Sequence, residues 1–127
     1  MDSKENRLDK IIRYCNKAEF IKALYLINEK IDEGDTSSEL YRIKGQIELE
    51  LGEIDECINS LKESLKLDDK NESTLLLVGN VYANHKNDLE SAMTYYNHLV
   101  SINKSKYITF NQYREYSSSV WEIWNKF

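Results

Sequence analysis

The sequence predicts an all-α fold of stacked helix pairs, and three observations carry that prediction. Proline is absent from all 127 residues and glycine occurs only four times, so almost nothing breaks helices in a chain rich in Lys, Glu, Leu, Ile and Asn. Apolar residues recur at spacings of three and four along most of the chain, the period of a half-buried helix. The chain also resembles itself. Laid from Leu40 over TLLLVGNVY, which starts at Thr74, the stretch LYRIKGQIE puts Gly45 on Gly79, 34 positions apart.

The elements follow in order. A first helix is expected over 5–16 and a second over 19–32, turning at KAEF. Gly34 and Asp35 close this pair, and the hydroxyls of Ser37 and Ser38 are placed to cap a third helix over 38–51. LGEI turns the chain into a fourth helix over 54–67, and HKNDL joins a fifth over 73–85 to a sixth over 89–103. A seventh, longer helix is expected over 107–126.

The internal repeat extends through these pairs. Ile54, Cys57, Leu61 and Leu65 meet Leu89, Ala92, Tyr96 and Val100 at a spacing of 35, the extra residue being absorbed in the HKND turn. Phe20, Ala23, Ile27 and Ile31 precede the same four positions by 34. Three copies result, at about 4–37, 38–71 and 72–106. A helix-interior glycine costs about 0.5–1 kcal/mol relative to alanine, so Gly79 should return a close approach of its neighbour. Small residues at Gly45, Gly79, Ala23, Cys57 and Ala92 let paired helices approach while the large positions fill the space between them. No GxGxxG or GxxxxGK[ST] occurs, so the glycines do not cradle phosphate.

On these residues the chain resembles the tetratricopeptide repeat family, whose period is 34. LLLVGNVY supplies Leu75, Val78, Gly79 and Tyr82, followed by Ala92 and Tyr96; the second copy supplies Tyr41, Gly45, Gly52 and Cys57, with Leu61 and Ser64 beyond. There are departures: Lys44 stands where the pattern has leucine, Glu48 where it has tyrosine, and Asp69 and Lys104 where it has proline. In the first copy Ile11 or Ile12 replaces the glycine. The resemblance implies a single domain over 1–127, an α-solenoid of three helix pairs with the last helix as its cap.

It also implies a site. Repeats of this family hold an extended peptide or a helix of a partner along the concave side lined by the first helix of each pair. The outward-facing residues there would be Arg42, Gln46, Leu49 and Glu50 from the second copy and Leu76, Asn80, Ala83 and Asn84 from the third. Asn and Gln offer donor and acceptor to a peptide backbone, and Arg42 could take a carboxylate. The family's clamp for chaperone C-termini is not expected. Asn80 matches it and Arg42 and Gln46 approximate it, but the first copy offers Leu8 and Ile12.

Composition narrows the remaining classes. A net charge of -5 and a pI near 5.1 disfavour nucleic acid as a partner, and the same charge and the Gly-Asn-Val-Tyr stretch argue against RNA-reading pentatricopeptide repeats. The charged start MDSKENRLDK and the lack of a long apolar window predict a cytoplasmic protein with no membrane partner. Cys15 and Cys57 have no CxxC or histidine at ligand spacing and are expected as small core residues, with no metal site. No motif sets a nucleophile beside His85 or His98, and the acidic pairs Glu48 with Glu50 and Asp68 with Asp69 read as solvated charge and a helix end. Neither catalysis nor a cofactor is expected.

The reading is a non-catalytic scaffold or adaptor for a partner protein or peptide, chaperone-like or a subunit of an assembly. The alternative is a structural or oligomerisation module working through the aromatic side of the last helix, Phe110, Tyr113, Val120, Trp121 and Trp124. Trp121 and Trp124 either cap the last repeat or form a second, homo-oligomeric or partner interface, tryptophan being frequent among docking anchors.

Overall fold

The computed structural model describes residues 6–104, which form α1 (Arg7–Asn16), α2 (Phe20–Asp32), α3 (Ser38–Glu50), α4 (Ile54–Leu67), α5 (Glu72–His85) and α6 (Leu89–Ile102). No strand occurs among the described residues. Each helix expected up to residue 103 is present, with its ends within two residues of expectation. The seventh, with Trp121 and Trp124, lies outside the described residues. The chain divides into two compact units between Leu67 and Asp68. The first contains α1 to α4, with α2 also packed on α3, and the second contains the α5–α6 pair.

Side chains close the helix starts. Asn6 Oδ1 accepts the Asp9 N–H at 2.8 Å, Ser37 Oγ that of Leu40 at 3.2 Å, Asn71 Oδ1 that of Thr74 at 3.2 Å and Asp88 Oδ1 that of Ser91 at 3.1 Å. Each such cap contributes about 1 kcal/mol.

The helix ends repeat one another as the sequence does. After α3, Gly52 is left-handed (φ 80°), its N–H donates to Leu49 O at 3.0 Å, and Glu53 N–H reaches back five residues to Glu48 O at 2.8 Å. This closed end recurs after α1, where Ala18 holds φ 59° and Glu19 N–H meets Tyr14 O at 2.8 Å. After α5 the left-handed residue is Asn87 (φ 52°). There Asp88 N–H reaches back six residues, to Tyr82 O at 3.0 Å, so the 35-residue spacing is taken up in this wider turn.

The small and large positions meet as the repeat requires. Ala23, Cys57 and Ala92 are fully buried, as are Ile27, Leu61 and Tyr96 one turn on. A Cβ on Gly45 would stand 2.7 Å from Leu61 Cδ2, and one on Gly79 would stand 2.7 Å from Tyr96 Cε1. Both glycines are therefore where a second helix lies against the backbone. The first copy replaces this glycine with Ile11, which is buried with Ala23, Ile27, Leu40, Ile43 and Ile47, while Ile12 is 43% exposed. In the α3–α4 pair, Ser38 and Ser64 exchange side-chain hydrogen bonds at 2.8 Å with each other's backbone carbonyls, joining the start of α3 to the end of α4.

Two expectations are corrected. Glu50 is solvated, but Glu48 is only 5% exposed and accepts a 2.6 Å hydrogen bond from Ser60 Oγ on α4. Cys57 is a core residue as expected, whereas Cys15 is half-buried at the surface; both thiols are free.

Candidate functional site

In the first unit α1 and α3 leave a cleft of about 480 Å³. Its α3 wall is Arg42, Ile43, Gln46, Ile47 and Glu50, with Ile12 and Cys15 from α1 and Phe20 from the start of α2 completing it. The α3 residues recur at one-turn intervals, which places them in a single stripe along the helix. Ile43 and Ile47 are core residues whose edges form the apolar floor, and Ile12 adds exposed apolar surface.

The rim is polar and already organised. Arg42 Nε donates to Glu39 Oε1 one turn earlier, and Gln46 Nε2 donates to Glu50 Oε1 at 3.4 Å. With these side chains open to water, such links are worth no more than about 1 kcal/mol, so a ligand can exchange them at little cost. Burial pushes the Cys15 thiol up from its ordinary value, which keeps it neutral and weakly nucleophilic. The cleft thus pairs an apolar floor with a cationic, an amide and an anionic group spread over two turns of α3.

Of the site residues expected in the second copy, Arg42, Gln46 and Glu50 are brought together here; Leu49 is half-buried on α3 and is not part of the cleft lining. The third copy departs from expectation. Asn84 is exposed and Leu76 half-buried, but Ala83 is 4% exposed, clustered with Ala92, Met93 and Tyr96. Asn80 is half-buried, and its Oδ1 accepts the hydroxyl hydrogen of Tyr96. Ala83 is corrected from a ligand-facing to a core residue, and Asn80 from an outward-pointing amide to one that satisfies a buried phenol. Burial pushes that phenol up to about 12.

The cleft residues not anticipated are Ile12, Cys15, Phe20, Ile43 and Ile47. A signal for Ile12 existed, since an isoleucine stands where a polar clamp residue would be. Among the described residues no group of three or more His, Cys, Asp and Glu could hold a metal ion, and no helix is long and apolar enough to cross a membrane.

Paired helices with an internal 34-residue period define a helical-repeat protein. The model of the tetratricopeptide repeat matches residues 38–71 and 73–106, more than half of the chain, which belongs to that family. Among solved structures, the chain is similar to the type III secretion chaperone SycD of Yersinia enterocolitica in complex with a peptide of the translocator YopD. The TM-score is 0.79 at 16% identity over 99% of this chain and 95% of that one. It is also similar to MamA, with TM-score 0.75 at 18% identity over 94% and 77%. YrrB, a tetratricopeptide repeat protein with an unusual peptide-binding site, gives TM-score 0.72 at 15% identity over 94% and 64%. Comparison with curated protein sequences gives no match.

Proposed function

We propose that this protein is a non-catalytic adaptor that holds a peptide or helical segment of a partner protein in the α1–α3 cleft. The observation that carries the reading is the cleft itself: apolar side chains at its floor and an Arg42, Gln46, Glu50 rim on one helix face. Such a surface suits a segment with alternating apolar and polar side chains, the floor supplying desolvation and the rim orientation. The peptide held by the SycD structure and the peptide-binding site of YrrB give precedents within the same fold. A chaperone-like role toward one partner is accordingly preferred here to a subunit role in a fixed assembly. The cytoplasm belongs to the same reading, two free thiols suiting a reducing compartment.

The test is capture from the native host by the wild type, by Arg42→Ala/Gln46→Ala/Glu50→Ala, and by the control Asn59→Ala/Lys66→Ala on the exposed side of α4. The expected result is one partner retained by the wild type and control and lost by the cleft variant, with all three equally folded by circular dichroism. Retention by the cleft variant would refute the site.

A further inference from the structure

We propose that the α3–α4 pair contains a proton-operated contact: Glu48 is buried against the Ser60 hydroxyl with its charge poorly solvated, and uptake of a proton removes that burial cost while keeping the carboxyl–hydroxyl link, so that mild acid stabilises the helix pair carrying the Arg42–Glu50 stripe. This goes beyond the adaptor reading and does not depend on what the cleft holds.

The placement of Glu48 is the first argument. It is 5% exposed and lies in the last turn of α3, which contains no basic residue. The unsatisfied carbonyls of a helix end disfavour a negative charge there. The groups around it add to this. Glu53 in the turn and Glu56 on α4 repel the carboxylate, and Lys44, one turn earlier on α3, attracts it. Ser60 on α4 supplies the hydrogen bond at 2.6 Å. Cys57 on α4 is fully buried, and its thiol is pushed up to about 12, first by burial and then by the charge of Glu48. A thiol in either protonation state offers that carboxylate no positive countercharge.

Comparison between copies is the second argument. Glu48 and Ser60 correspond to Tyr82 and Tyr95, at spacings of 34 and 35. Those two rings stack with centroids 5.7 Å apart and planes 11° from parallel. The same contact between paired helices is thus neutral in one copy and ionisable in the other. Uptake of a proton need not break it: Ser60 donates to the carboxylate, and the protonated carboxyl can donate to Ser60 Oγ.

The direction follows from linkage. Burial, ahead of the opposing Ser60 bond, holds the Glu48 carboxyl above its ordinary value of 4.5. The folded state therefore binds more protons than the unfolded chain between that value and its own, and stability falls as pH rises through this window. Glu33, Asp35 and Asp88 are held below their ordinary values of 4.5, 3.8 and 3.8. They lose stability only at lower pH, in the opposite sense.

The test combines a carboxyl-carbon NMR titration of the full chain with melting of the wild type and Glu48→Gln from neutral pH to about pH 5. The expected results are a Glu48 titration above the ordinary carboxyl value and a melting advantage for Glu48→Gln at neutral pH that shrinks on acidification. A Glu48 titration at or below the ordinary value, or a wild-type-to-variant difference that does not change with pH, would overturn the proposal. Should Glu48→Gln not fold, amide exchange of wild-type α3 and α4, corrected for the intrinsic pH dependence, decides. Protection that rises in mild acid supports the contact, and protection that stays flat refutes it.

Discussion

Gly79→Ala tests whether the repeat's glycines are present for contact or by chance. The added Cβ would lie 2.7 Å from Cε1, 3.0 Å from Cδ1 and 3.2 Å from Cζ of Tyr96, all closer than carbon atoms pack. Tyr96 cannot easily withdraw, because it is fully buried and its hydroxyl is bound to Asn80. Alanine in an open helix site would add about 0.5–1 kcal/mol of stability. Overpacking costs about 1–3 kcal/mol, and a displaced phenol forfeits a hydrogen bond worth about 1 kcal/mol. The net expectation is destabilisation by about 1–3 kcal/mol. Urea unfolding should show it as a lower midpoint with an unchanged slope. In the Tyr96→Leu background the cost of Gly79→Ala should shrink by at least about 0.5 kcal/mol, since the two sites share one contact. A Gly79→Ala protein more stable than wild type would refute the close-approach argument for this position and weaken it for Gly45.

Other substitutions probe separate links of the same reasoning. Asn80→Ala removes the oxygen that accepts the Tyr96 hydroxyl in the α5–α6 pair and should cost about 1 kcal/mol; Asn80→Ala/Tyr96→Phe, measured by the same unfolding curves, should recover part of it. Ala18 holds a left-handed conformation at φ 59°, so Ala18→Gly should stabilise by up to about 1 kcal/mol while Gly52→Ala destabilises by about 1–2 kcal/mol. Calorimetric melting reads both, and equal signs would contradict the turn assignment. Ala92→Phe, at a fully buried position, should overpack the α5–α6 contact by about 1–3 kcal/mol, visible as a lower melting temperature.

Periodicity reads which face of a helix a residue occupies, and that part of the structure was legible. The turns at KAEF, LGEI and HKNDL fall where the apolar spacing breaks, and Gly79 stands one repeat from Gly45 because both meet a large residue of the paired helix. How deep a residue lies, and which group its polar end reaches, is decided by the neighbour. Gln46 and Asn80 occupy equivalent positions at a spacing of 34. Leu61, which stands 35 positions before Tyr96, offers no polar atom, and Gln46 bonds to Glu50 beside the cleft, whereas Asn80 is drawn to the hydroxyl that Tyr96 brings. Glu48 reads as surface charge from its type, yet it fills the place of a tyrosine and is buried with Ser60. Ala83 was readable: it lies one turn beyond Gly79 on α5 and shares its buried face. The cleft needed α1, α2 and α3 together, so Cys15 and Phe20 had no signal in any one copy.

The central claim is that the partner docks on the first unit's α1–α3 cleft. Its most direct test is amide and side-chain NMR mapping of the full chain titrated with the segment of the captured partner. The account predicts that shifts concentrate at Ile12, Cys15, Phe20, Arg42, Gln46 and Glu50 and that Arg42→Ala/Gln46→Ala/Glu50→Ala abolishes them. Shifts confined to residues 107–126, with the indole signals of Trp121 and Trp124 moving and the cleft unchanged, would contradict it and assign recognition to the C-terminal segment.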